Sequence, residues 1–581
     1  MGKNSNYEDY PPQPNNPTDE QRYLLARYAL GQKSRLEDFE NIKDVTSPPI
    51  DITTIVQEGG LKGCKVGIIG GGLAGMSAAF ELRKLGCDIT IFDAQERIGG
   101  RVYTYYFDHN KKHYGEFGAA RIPVTHETTW HYINLFKLPT IPFIQVNENS
   151  FIYLRDVRVR NDPEGRNVQN FIYPKYDLTM QEKKLSWQQL ISYGLDNALL
   201  YASPEVRREV AEVLNTYSPQ ILYWDFNSNR NMAETLGLSE EAINLISNFI
   251  ISAGANLFAG FVDYIQEPYS VDLSFVYQLE GGNVNLPMAF YKALLSEKSE
   301  KFYGDLSKEC LGNVVWKSAH AVNGIYMDSE DGKPILSSKS LKTNNSLHEK
   351  FDYLICAIPF STLRNIEINP LFSNIKMQAI KEVYYTPAHK SLLFCRKRFW
   401  EEGGPKEQII GGISYTDMPI SQILYPSNHV YSDKKALRNI EKYYPYYNSK
   451  FSEDGPGVLA IYNFNLDTVR LANMTENERF EEIKREIEKI HGLPRGCLDK
   501  IVADCKTVNW NSEPWFRGGL CMFTPEQKRL YSYAAAYPEY NGRVFFAGEH
   551  ISSKHRWMQG ALKTGMEAAN SLAYAFKYHN T

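Results

Sequence analysis

Apolar and polar positions follow a clear order between residues 65 and 94, in the run KVGIIGGGLAGMSAAFELRKLGCDITIFDA. Residues 65–69 are a short apolar run of the kind found in buried strands, and residues 76–86 have the apolar spacing of a helix. A second β-rich run ends at Asp93. The pattern therefore predicts a strand, a glycine turn, a helix and a second strand, the repeating unit of an α/β fold.

Three glycines, Gly70, Gly72 and Gly75, give the spacing G-x-G-x-x-G at the predicted turn. In this pattern the first glycine allows a tight turn, the second lets a pyrophosphate approach the backbone, and the third lets the helix pack closely on the strand. The helix N-terminus offers free N–H groups to the phosphate, and Asp93 stands where an acid accepts hydrogen bonds from a ribose. A glycine turn that binds nothing would not explain this order, so we predict a dinucleotide site.

Elsewhere in the chain, segments with this order of apolar runs and glycine turns alternate with segments of mixed polar and aromatic residues. Glycine turns leading into helices, or short β-rich runs, recur near residues 277–294, 351–359 and 542–578. A chain of 581 residues exceeds what one hydrophobic core organises. We therefore predict two domains, one of them assembled from distant segments, after a flexible Pro- and Asn-rich tail at residues 1–18.

Composition narrows the classes of partner. The chain has 64 basic and 68 acidic residues, and this near balance argues against nucleic acid or an anionic membrane as the main partner. Eight scattered cysteines without a C-x-x-C pair fit neither a metal site nor a disulfide framework, so no metal is predicted. The N-terminal segment lacks the apolar core of a signal peptide, and no stretch has the pattern of a membrane span. These features predict a cytoplasmic protein.

Two further elements favour FAD over NAD as the dinucleotide. The run ERIGGRVYT, which follows the second strand, carries Gly100 and Arg101 and adds a flexible, cationic element that an NAD site does not need. Near the other end of the chain, Gly548 and Glu549 follow a predicted strand, where an acid could hold ribityl hydroxyls. The helix after Trp557 could direct its N-terminal dipole at the isoalloxazine C2 carbonyl.

Taken together, the glycine fingerprint, ERIGGRVYT, GEFGAARIP and RVFFAGEHISSKHRWMQGALKTGMEAA resemble the flavin-containing amine oxidase superfamily. The form GAARIP resembles the L-amino-acid oxidases, and the match runs in order from about residue 60 to 578. The resemblance implies an α/β protein with a discontinuous Rossmann-type FAD-binding domain and an α+β substrate-binding domain that includes a helical part. The expected ranges are 60–125, 281–370 and 510–581 for the first domain, 126–280 and 371–509 for the second, and about 126–240 for its helical part.

The resemblance and the motifs together assign sixteen residues to the cofactor. These are Gly70, Gly72, Gly75, Asp93, Ala94, Gly100, Arg101, Gly118, Ala119, Ala120, Arg121, Trp510, Gly548, Glu549, Trp557 and Met558. Asp93 stands where the superfamily usually has Glu, a longer version of the same chemistry. Monoamine oxidases attach their flavin through a cysteine at the position of Leu520, and Cys521 is one place away, so we predict non-covalent FAD.

Arg121 is the residue on which the expected substrate depends. In L-amino-acid oxidases the arginine of this motif binds the substrate α-carboxylate, which simple amine oxidases do not have to hold. A guanidinium stays charged and is costly to bury without an anion. The alternative is a structural ion pair with a nearby acid, for instance Glu116.

Three more residues are assigned to the site by comparison with the family, and Trp557 receives a second role. Lys390 matches the lysine that hydrogen-bonds a water near flavin N5, implicated in reoxidation by O2, although a single lysine is often only a surface charge. Tyr462 and Trp557 match aromatic residues that frame the substrate, although either could belong to the core. Arg556 stands where snake-type L-amino-acid oxidases have glycine, and it could narrow the pocket, meet an acidic substrate group or face solvent.

The reaction implied by the resemblance is oxidation of an L-α-amino acid by O2 to a 2-oxo acid, ammonia and H2O2. The substrate amine must be neutral, so the rate should rise with pH. Snake-type enzymes have a histidine proposed for deprotonation; the matching stretch DYIQEPYSVD holds none, and Glu267 is a possible substitute. Alternatives are an amide-forming L-amino-acid 2-monooxygenase, an amine or polyamine oxidase, and a scaffold with inert FAD.

The amino acid that is oxidised stays open at the level of sequence. Asp263, Glu267 and Asp272 could meet a basic side chain or form a solvated face, and the many aromatic residues suit an aromatic substrate equally well. Relatives are often dimers, so a homodimer is a further expectation.

Overall fold

The computed structural model describes residues 11–250, 256–296, 298–432 and 455–579. At its centre is a sheet of five parallel strands whose members come from distant parts of the chain. In spatial order the strands are Val314–Ser318, Asp88–Asp93, Lys65–Ile69, Tyr353–Cys356 and Val544–Phe546. Parallel strands are buried on both faces, which is why they appear in the sequence as continuous apolar runs. The predicted α/β class is confirmed.

Helices cover one face of this central sheet and a second sheet covers the other. Leu73–Lys84 packs against the C-terminal helix Met558–His579 and against Asn285–Leu295. On the opposite face lies a four-stranded sheet, whose Leu336 packs with Ile69 and Phe92 of the central strands. Its strands are, in spatial order, Ser346–Lys350, Pro334–Ser340, His320–Met327 and Glu367–Asn369.

A seven-stranded sheet forms the framework beside the central domain. In spatial order its strands are Val502–Asn509, Ala388–Cys395, Gly457–Phe464, Gln422–Leu424, Ile413–Thr416, Phe151–Leu154 and Val157–Arg160. The charged helix Glu476–His491 buries Ile483, Ile487 and Ile490 in the same core as this sheet. Its apolar residues at spacings of three and four explain how so charged a sequence forms an amphipathic helix.

Helices predominate between residues 187 and 269, but the helical part begins later than the sequence suggested. Residues 140–160, which the prediction placed in the helical part, form the strands Thr140–Pro142, Phe151–Leu154 and Val157–Arg160. The last two form a hairpin in which Arg155 and Asp156 both have positive φ, as a tight two-residue turn requires. This turn lacks the usual glycine or asparagine and was therefore missed.

The structure also differs from the predicted flexible tail. Residues 1–10 lie outside the described residues, but Gln13 Nε2 donates a hydrogen bond to Val276 O at 2.7 Å. The N–H of Asn16 donates to Thr140 O at 3.1 Å, and the N–H of Thr140 donates back to Asn16 Oδ1 at 2.7 Å. These contacts hold the second half of the segment against the strand Val276–Leu279 and its neighbour.

The remaining elements connect and cover these sheets. Three small sheets pair Thr104–Tyr106 with Tyr114–Glu116, Tyr385–Thr386 with Leu520–Cys521, and Val276–Leu279 with both Ile122–Pro123 and Thr140–Pro142. The other α-helices are Asp19–Gln32, Phe39–Thr46, Glu127–Leu135, Trp187–Gly194, Pro204–Arg208, Pro219–Asp225, Asn229–Thr235, Glu240–Ser247, Phe261–Tyr269, Phe360–Leu363, Asn374–Glu382, Asn428–Ser432, Asn465–Ala472, Cys497–Ile501 and Tyr533–Ala536. Each helix in the described ranges is too short or too polar to cross a lipid bilayer.

Candidate active site

A cavity of about 520 Å³ lies at the carboxyl edge of the central sheet and reaches the seven-stranded sheet. Ligands in α/β folds bind at this edge because the loops after parallel strands meet there. Apart from Gly75, every residue that the sequence assigned to cofactor or substrate lines this cavity. They are Gly70, Gly72, Asp93, Ala94, Gly100, Arg101, Gly118, Ala119, Ala120, Arg121, Lys390, Tyr462, Trp510, Gly548, Glu549, Arg556, Trp557 and Met558.

The glycine turn has the geometry that its sequence predicts. Gly70 has φ of +102°, and a Cβ on it would lie 2.8 Å from Ala357 O. Gly72 faces open space, because a Cβ there would meet no atom within 4 Å. A Cβ on Gly75 would lie only 2.0 Å from Gly70 O, so Gly75 serves the helix–strand contact rather than the cavity.

Asp93 is fixed against this turn by backbone donors. The N–H of Gly71 donates to Asp93 Oδ2 at 2.9 Å, and the N–H of Gln95 donates to Oδ1 at 2.7 Å. Burial raises the pKa of Asp93, and these two hydrogen bonds act against the shift. A carboxylate can accept about four hydrogen bonds. Asp93 therefore retains acceptor capacity toward the cavity that it lines.

Glu549 joins three separate segments at the other side of the cavity. Arg101 Nη1 donates to Glu549 Oε1 at 2.8 Å, the N–H of Arg556 donates to Oε2 at 2.8 Å, and the N–H of Cys521 lies 3.3 Å from both oxygens. Burial alone would raise the pKa of Glu549, but Arg101 and neighbouring groups lower it to about 2. The sequence predicted a ribityl contact for Glu549 and missed these protein partners.

Within the described residues, the guanidinium of Arg121 forms no ion pair with an acid, and Glu267 acts on it only through its charge. Its Nε and Nη2 atoms are buried without a hydrogen-bond partner, and burial lowers the pKa of Arg121. Glu116 accepts from the Thr104 hydroxyl at 2.9 Å and from the N–H of Asn283 at 2.7 Å. Within the described residues no ion pair joins Arg121 to Glu116 or to another acid. The structural ion pair that was the alternative role for Arg121 is therefore absent from this part of the chain.

The loop that precedes Arg121 is held in place through its carbonyl groups. Lys390 Nζ donates to Glu116 O at 3.2 Å and to Gly118 O at 2.8 Å. Trp510 Nε1 donates to Phe117 O at 3.0 Å, and Asn283 Nδ2 donates to Ala119 O at 3.0 Å. Four consecutive carbonyls thus bind side-chain donors, an anchoring role for Lys390 and Trp510 that the sequence did not reveal.

Lys390 and Tyr462 are cross-strand neighbours in the seven-stranded sheet. The two side chains therefore share one face, and Lys390 Nζ lies 4.2 Å from the centroid of the Tyr462 ring. Burial and the nearby charge of Arg121 lower the pKa of Lys390 to about 7. Lys390 is accordingly a buried cavity residue and not a surface charge, and its ammonium and amine forms are both populated near neutral pH.

Trp557 and Arg556 form the opposite wall together with Glu267. Trp557 Nε1 donates to Glu267 Oε1 at 2.9 Å, and the rings of Trp557 and His126 meet edge to face at 5.0 Å. Arg556 has φ of +74°, which is uncommon for a residue with a side chain. Its side chain is 12% exposed and lies 3.4 Å from Glu267 and 3.5 Å from Asp263. Of the three roles considered for Arg556, facing solvent is therefore excluded.

A sequence model of the family described as flavin containing amine oxidoreductase matches residues 73–573. The chain belongs to this family. An L-amino-acid oxidase from Echis ocellatus is 27% identical over 516 residues, which are 87% of this chain and 88% of that protein. The L-amino-acid oxidase BmooLAAO-I from Bothrops moojeni is 26% identical over 558 residues, or 94% of this chain and 95% of that protein.

Solved structures of flavin amine oxidases share the fold. A putrescine oxidase bound to putrescine has a TM-score of 0.62 at 15% identity, covering 87% of this chain and 98% of the oxidase. The cyclohexylamine oxidase from Brevibacterium oxydans IH-35A also has a TM-score of 0.62, at 16% identity, covering 88% and 99%. The likeness confirms the predicted two-part α/β fold.

As expected for a flavin-containing amine oxidoreductase, the cavity fits a flavin cofactor. Gly72 and Gly100, whose φ is +59°, present backbone without a side chain to the cavity. Such backbone allows the close approach that a phosphate group requires. Met558, the first residue of the C-terminal helix, lines the cavity, so this helix directs its N-terminus there.

The acids singled out from the sequence separate into two environments. Asp272 is fully buried and pairs with Lys554 Nζ at 2.9 Å, so it is part of the core and no solvated face. Asp263 and Glu267 instead adjoin Arg556 in the wall of the cavity. Within the described residues no group of three or more His, Cys, Asp or Glu side chains could hold a metal ion.

Proposed function

We propose that this protein is an L-amino-acid oxidase that uses non-covalently bound FAD. The reaction converts an L-α-amino acid, O2 and H2O into a 2-oxo acid, ammonia and H2O2. The observation that carries the proposal is the buried guanidinium of Arg121, whose Nε and Nη2 lack a partner. The names of the relatives from Echis ocellatus and Bothrops moojeni agree with it.

The argument from Arg121 rests on the cost of an unpaired buried charge. Removing a guanidinium from water is expensive unless an anion and hydrogen bonds replace the water. A substrate α-carboxylate supplies both, and it accepts two parallel hydrogen bonds from an arginine. An amine substrate has no such group, so an amine oxidase would leave Arg121 without a partner.

The remaining cavity residues would orient the substrate and exclude water. The turn at Gly70 and Gly72, with Asp93 and Glu549, would hold FAD, which would supply an acceptor for a hydride equivalent from the substrate Cα and a donor of two electrons to O2. Tyr462 and Trp557 would form the two aromatic walls between which the neutral amine lies. Two hydrogens of Lys390 Nζ are engaged by carbonyls, and the third would hold a water for the reaction with O2. Glu267 is engaged with Trp557 and Arg556, which favours a positioning role over that of a strong base.

The residues next to the cavity support the proposal of non-covalent attachment. Leu520 lines the cavity and has no nucleophilic atom. Cys521 is fully buried, and burial together with Glu549 keeps the pKa of its thiol well above the usual range. A thiol that stays protonated is a poor nucleophile. Release of free FAD on acid precipitation of the holoenzyme tests this point, because covalent flavin would remain with the protein.

The experiment for the main proposal is anaerobic flavin bleaching with L-amino acids, their D-enantiomers and the matching decarboxylated amines. The variants are Arg121→Met and, as a control of the same chemistry, Arg495→Met on the surface. We expect bleaching by L-amino acids alone. A bidentate charged contact contributes roughly 2–4 kcal/mol, so kred/Kd should fall about 30- to 1,000-fold in Arg121→Met and stay unchanged in the control.

Other outcomes would replace the proposal. Equal bleaching by amines, with no effect of Arg121→Met, would make the protein an amine oxidase. An amide and CO2 as products would identify a 2-monooxygenase, and a flavin that no substrate reduces would indicate a scaffold. The homodimer and the cytoplasmic location stay predictions, which light scattering and cell fractionation can test.

A further inference from the structure

A second cavity, of about 290 Å³, lies next to the first. Glu267 lines both cavities. Tyr415 lines the second cavity and is close enough to Arg121 for the guanidinium to lower its pKa, although burial raises that pKa overall. The second cavity therefore begins beside the proposed carboxylate site and continues away from the cofactor cleft.

The walls of the second cavity are mainly apolar and aromatic. Ile191, Leu199, Phe249 and Tyr264 are among the residues that line it. Such walls suit the methylene groups of a long side chain, which lose contact with water when they are enclosed. Polar residues also line it, among them Glu267, which it shares with the first cavity, and the partly exposed pair of Lys33 with Asp196, at 3.6 Å.

At the junction of the two cavities, Asp263 and Glu267 face Arg556 and Arg121, and the carboxylates are in excess once a substrate α-carboxylate pairs with Arg121. Arg556 is shared by two acids, at 3.5 Å from Asp263 and 3.4 Å from Glu267. Both distances exceed the 2.7–2.9 Å that is typical of a charge-assisted hydrogen bond. His555 contacts Asp263 through Nδ1, which leaves Glu267 without a contact to this ring.

The other charged groups around the second cavity do not compensate this excess. Arg35 pairs with Asp38 at 3.1 Å and also donates to the carbonyls of Pro268 and Tyr269. Lys33 pairs with Asp196. In Glu267, Oε1 accepts from Trp557, and within the described residues Oε2 has no hydrogen bond. One carboxylate charge at the junction is therefore left for a ligand to neutralise.

We propose that the second cavity receives the substrate side chain and that Glu267 selects a cationic end, so that the preferred substrates are basic L-α-amino acids such as lysine and arginine. This inference rests on the proposed function. An acidic side chain would add a third carboxylate beside Arg556, and an apolar one would leave the charge of Glu267 uncompensated. A basic side chain can place its cationic group against Glu267 where the two cavities meet, while its α-carboxylate binds Arg121.

The test compares L-lysine with L-norleucine, which has the same carbon chain without the ammonium group. Anaerobic flavin reduction gives kred/Kd for both substrates in the wild type, in Glu267→Gln and in the exposed control Glu205→Gln. Glutamine keeps an acceptor for Trp557 Nε1 but removes the charge. We expect a lysine preference of at least about tenfold in the wild type, lost in Glu267→Gln and kept in the control.

A steric variant tests the location of the side chain independently of charge. Ile191→Phe narrows the second cavity and should lower kred/Kd for L-lysine more than for L-2-aminobutyrate, whose side chain is too short to extend far into it. Circular dichroism and flavin content establish that each variant folds. An equal effect of Ile191→Phe on both substrates would place the side chain elsewhere and overturn the proposal.

Failure of the inference and failure of the proposed function give different results. If L-norleucine, L-phenylalanine or L-glutamate reduces the wild-type flavin at least as well as L-lysine, the side-chain assignment is wrong and the L-amino-acid oxidase remains. The same holds if Glu267→Gln leaves the lysine preference intact. If no L-amino acid reduces the flavin, the proposed function itself is wrong.

Discussion

Gly72 and Gly75 lie three residues apart in one turn, and the structure predicts opposite consequences for replacing each by alanine. A Cβ on Gly72 would meet no protein atom within 4 Å, and the residue has φ of −81°, which alanine adopts readily. Gly72→Ala should therefore leave the apoprotein as stable as the wild type, or stabilise it by about 0.4–1 kcal/mol through a lower entropy of the unfolded chain.

Gly75→Ala introduces a clash that the backbone must absorb. The new Cβ would lie 2.0 Å from Gly70 O, well inside any ordinary contact, so helix and turn must move apart by more than 1 Å. Overpacking of this kind costs about 1–3 kcal/mol, against about 1 kcal/mol gained from the better helix propensity of alanine. We expect the apoprotein of Gly75→Ala to be equally or less stable, by up to about 2 kcal/mol.

The assays are urea unfolding of the apoproteins and titration with FAD. Gly72→Ala should weaken FAD binding at least about tenfold, a loss of about 1.4 kcal/mol, because its methyl group enters the space where the pyrophosphate must approach. Gly75→Ala should weaken FAD binding as well, by displacing Gly70. Wild-type FAD affinity in Gly72→Ala would refute the assignment of this turn to the cofactor, whatever the stability of either variant.

Two further predictions concern charged groups of the cavity. The ammonium form of Lys390 predominates below a pKa of about 7, so flavin reoxidation by O2 should slow as the pH rises through 7. Stopped-flow measurements should show this pH dependence in the wild type and not in Lys390→Met. If the variant kept the wild-type pH profile, Lys390 would only anchor the Arg121 loop. Arg101→Met leaves Glu549 buried without its cation and should reduce the free energy of unfolding by about 3–5 kcal/mol in urea titrations at pH 7. The pKa of Glu549 is about 2 in the folded protein and 4.5 in the unfolded chain, so its contribution to the free energy of unfolding is present above pH 4.5 and disappears as the pH falls toward 2. Arg101→Met should lack this acid-dependent contribution. If the free energy of unfolding depended on pH in the same way in both proteins, the prediction would be wrong.

The sequence predicted well those features that depend on local backbone mechanics. The turn at Gly70 and the contact at Gly75 follow from steric limits that act within a few residues, so the spacing of the glycines was sufficient. The parallel sheet followed in the same way, because strands buried on both faces leave continuous apolar runs. The hairpin around Arg155 and Asp156 was missed because arginine is an unusual choice for positive φ and no glycine follows the aspartate.

Features that depend on which distant groups meet could not be predicted from the sequence. The alternative for Arg121 was a pair with Glu116, and only the tertiary structure shows that Glu116 faces Thr104 and Asn283 instead. Likewise, nothing in the run DYIQEPYSVD indicates that Glu267 lies between two cavities. A carboxylate that is paired with a distant residue and one that is left for a ligand look the same in sequence.

The order of the central strands has a consequence for biosynthesis. The strand Val544–Phe546 pairs with Tyr353–Cys356, and Gly548, Glu549 and Met558 complete the cavity that begins at Gly70. A ribosome adds about 5–20 residues per second, so tens of seconds separate synthesis of the glycine turn from synthesis of these last walls. Until they emerge, Tyr353–Cys356 has an unpaired edge and the cavity lacks one side. We therefore expect the cofactor to bind only after this segment has been synthesised, and the nascent chain must keep an incomplete parallel sheet from aggregating during that interval.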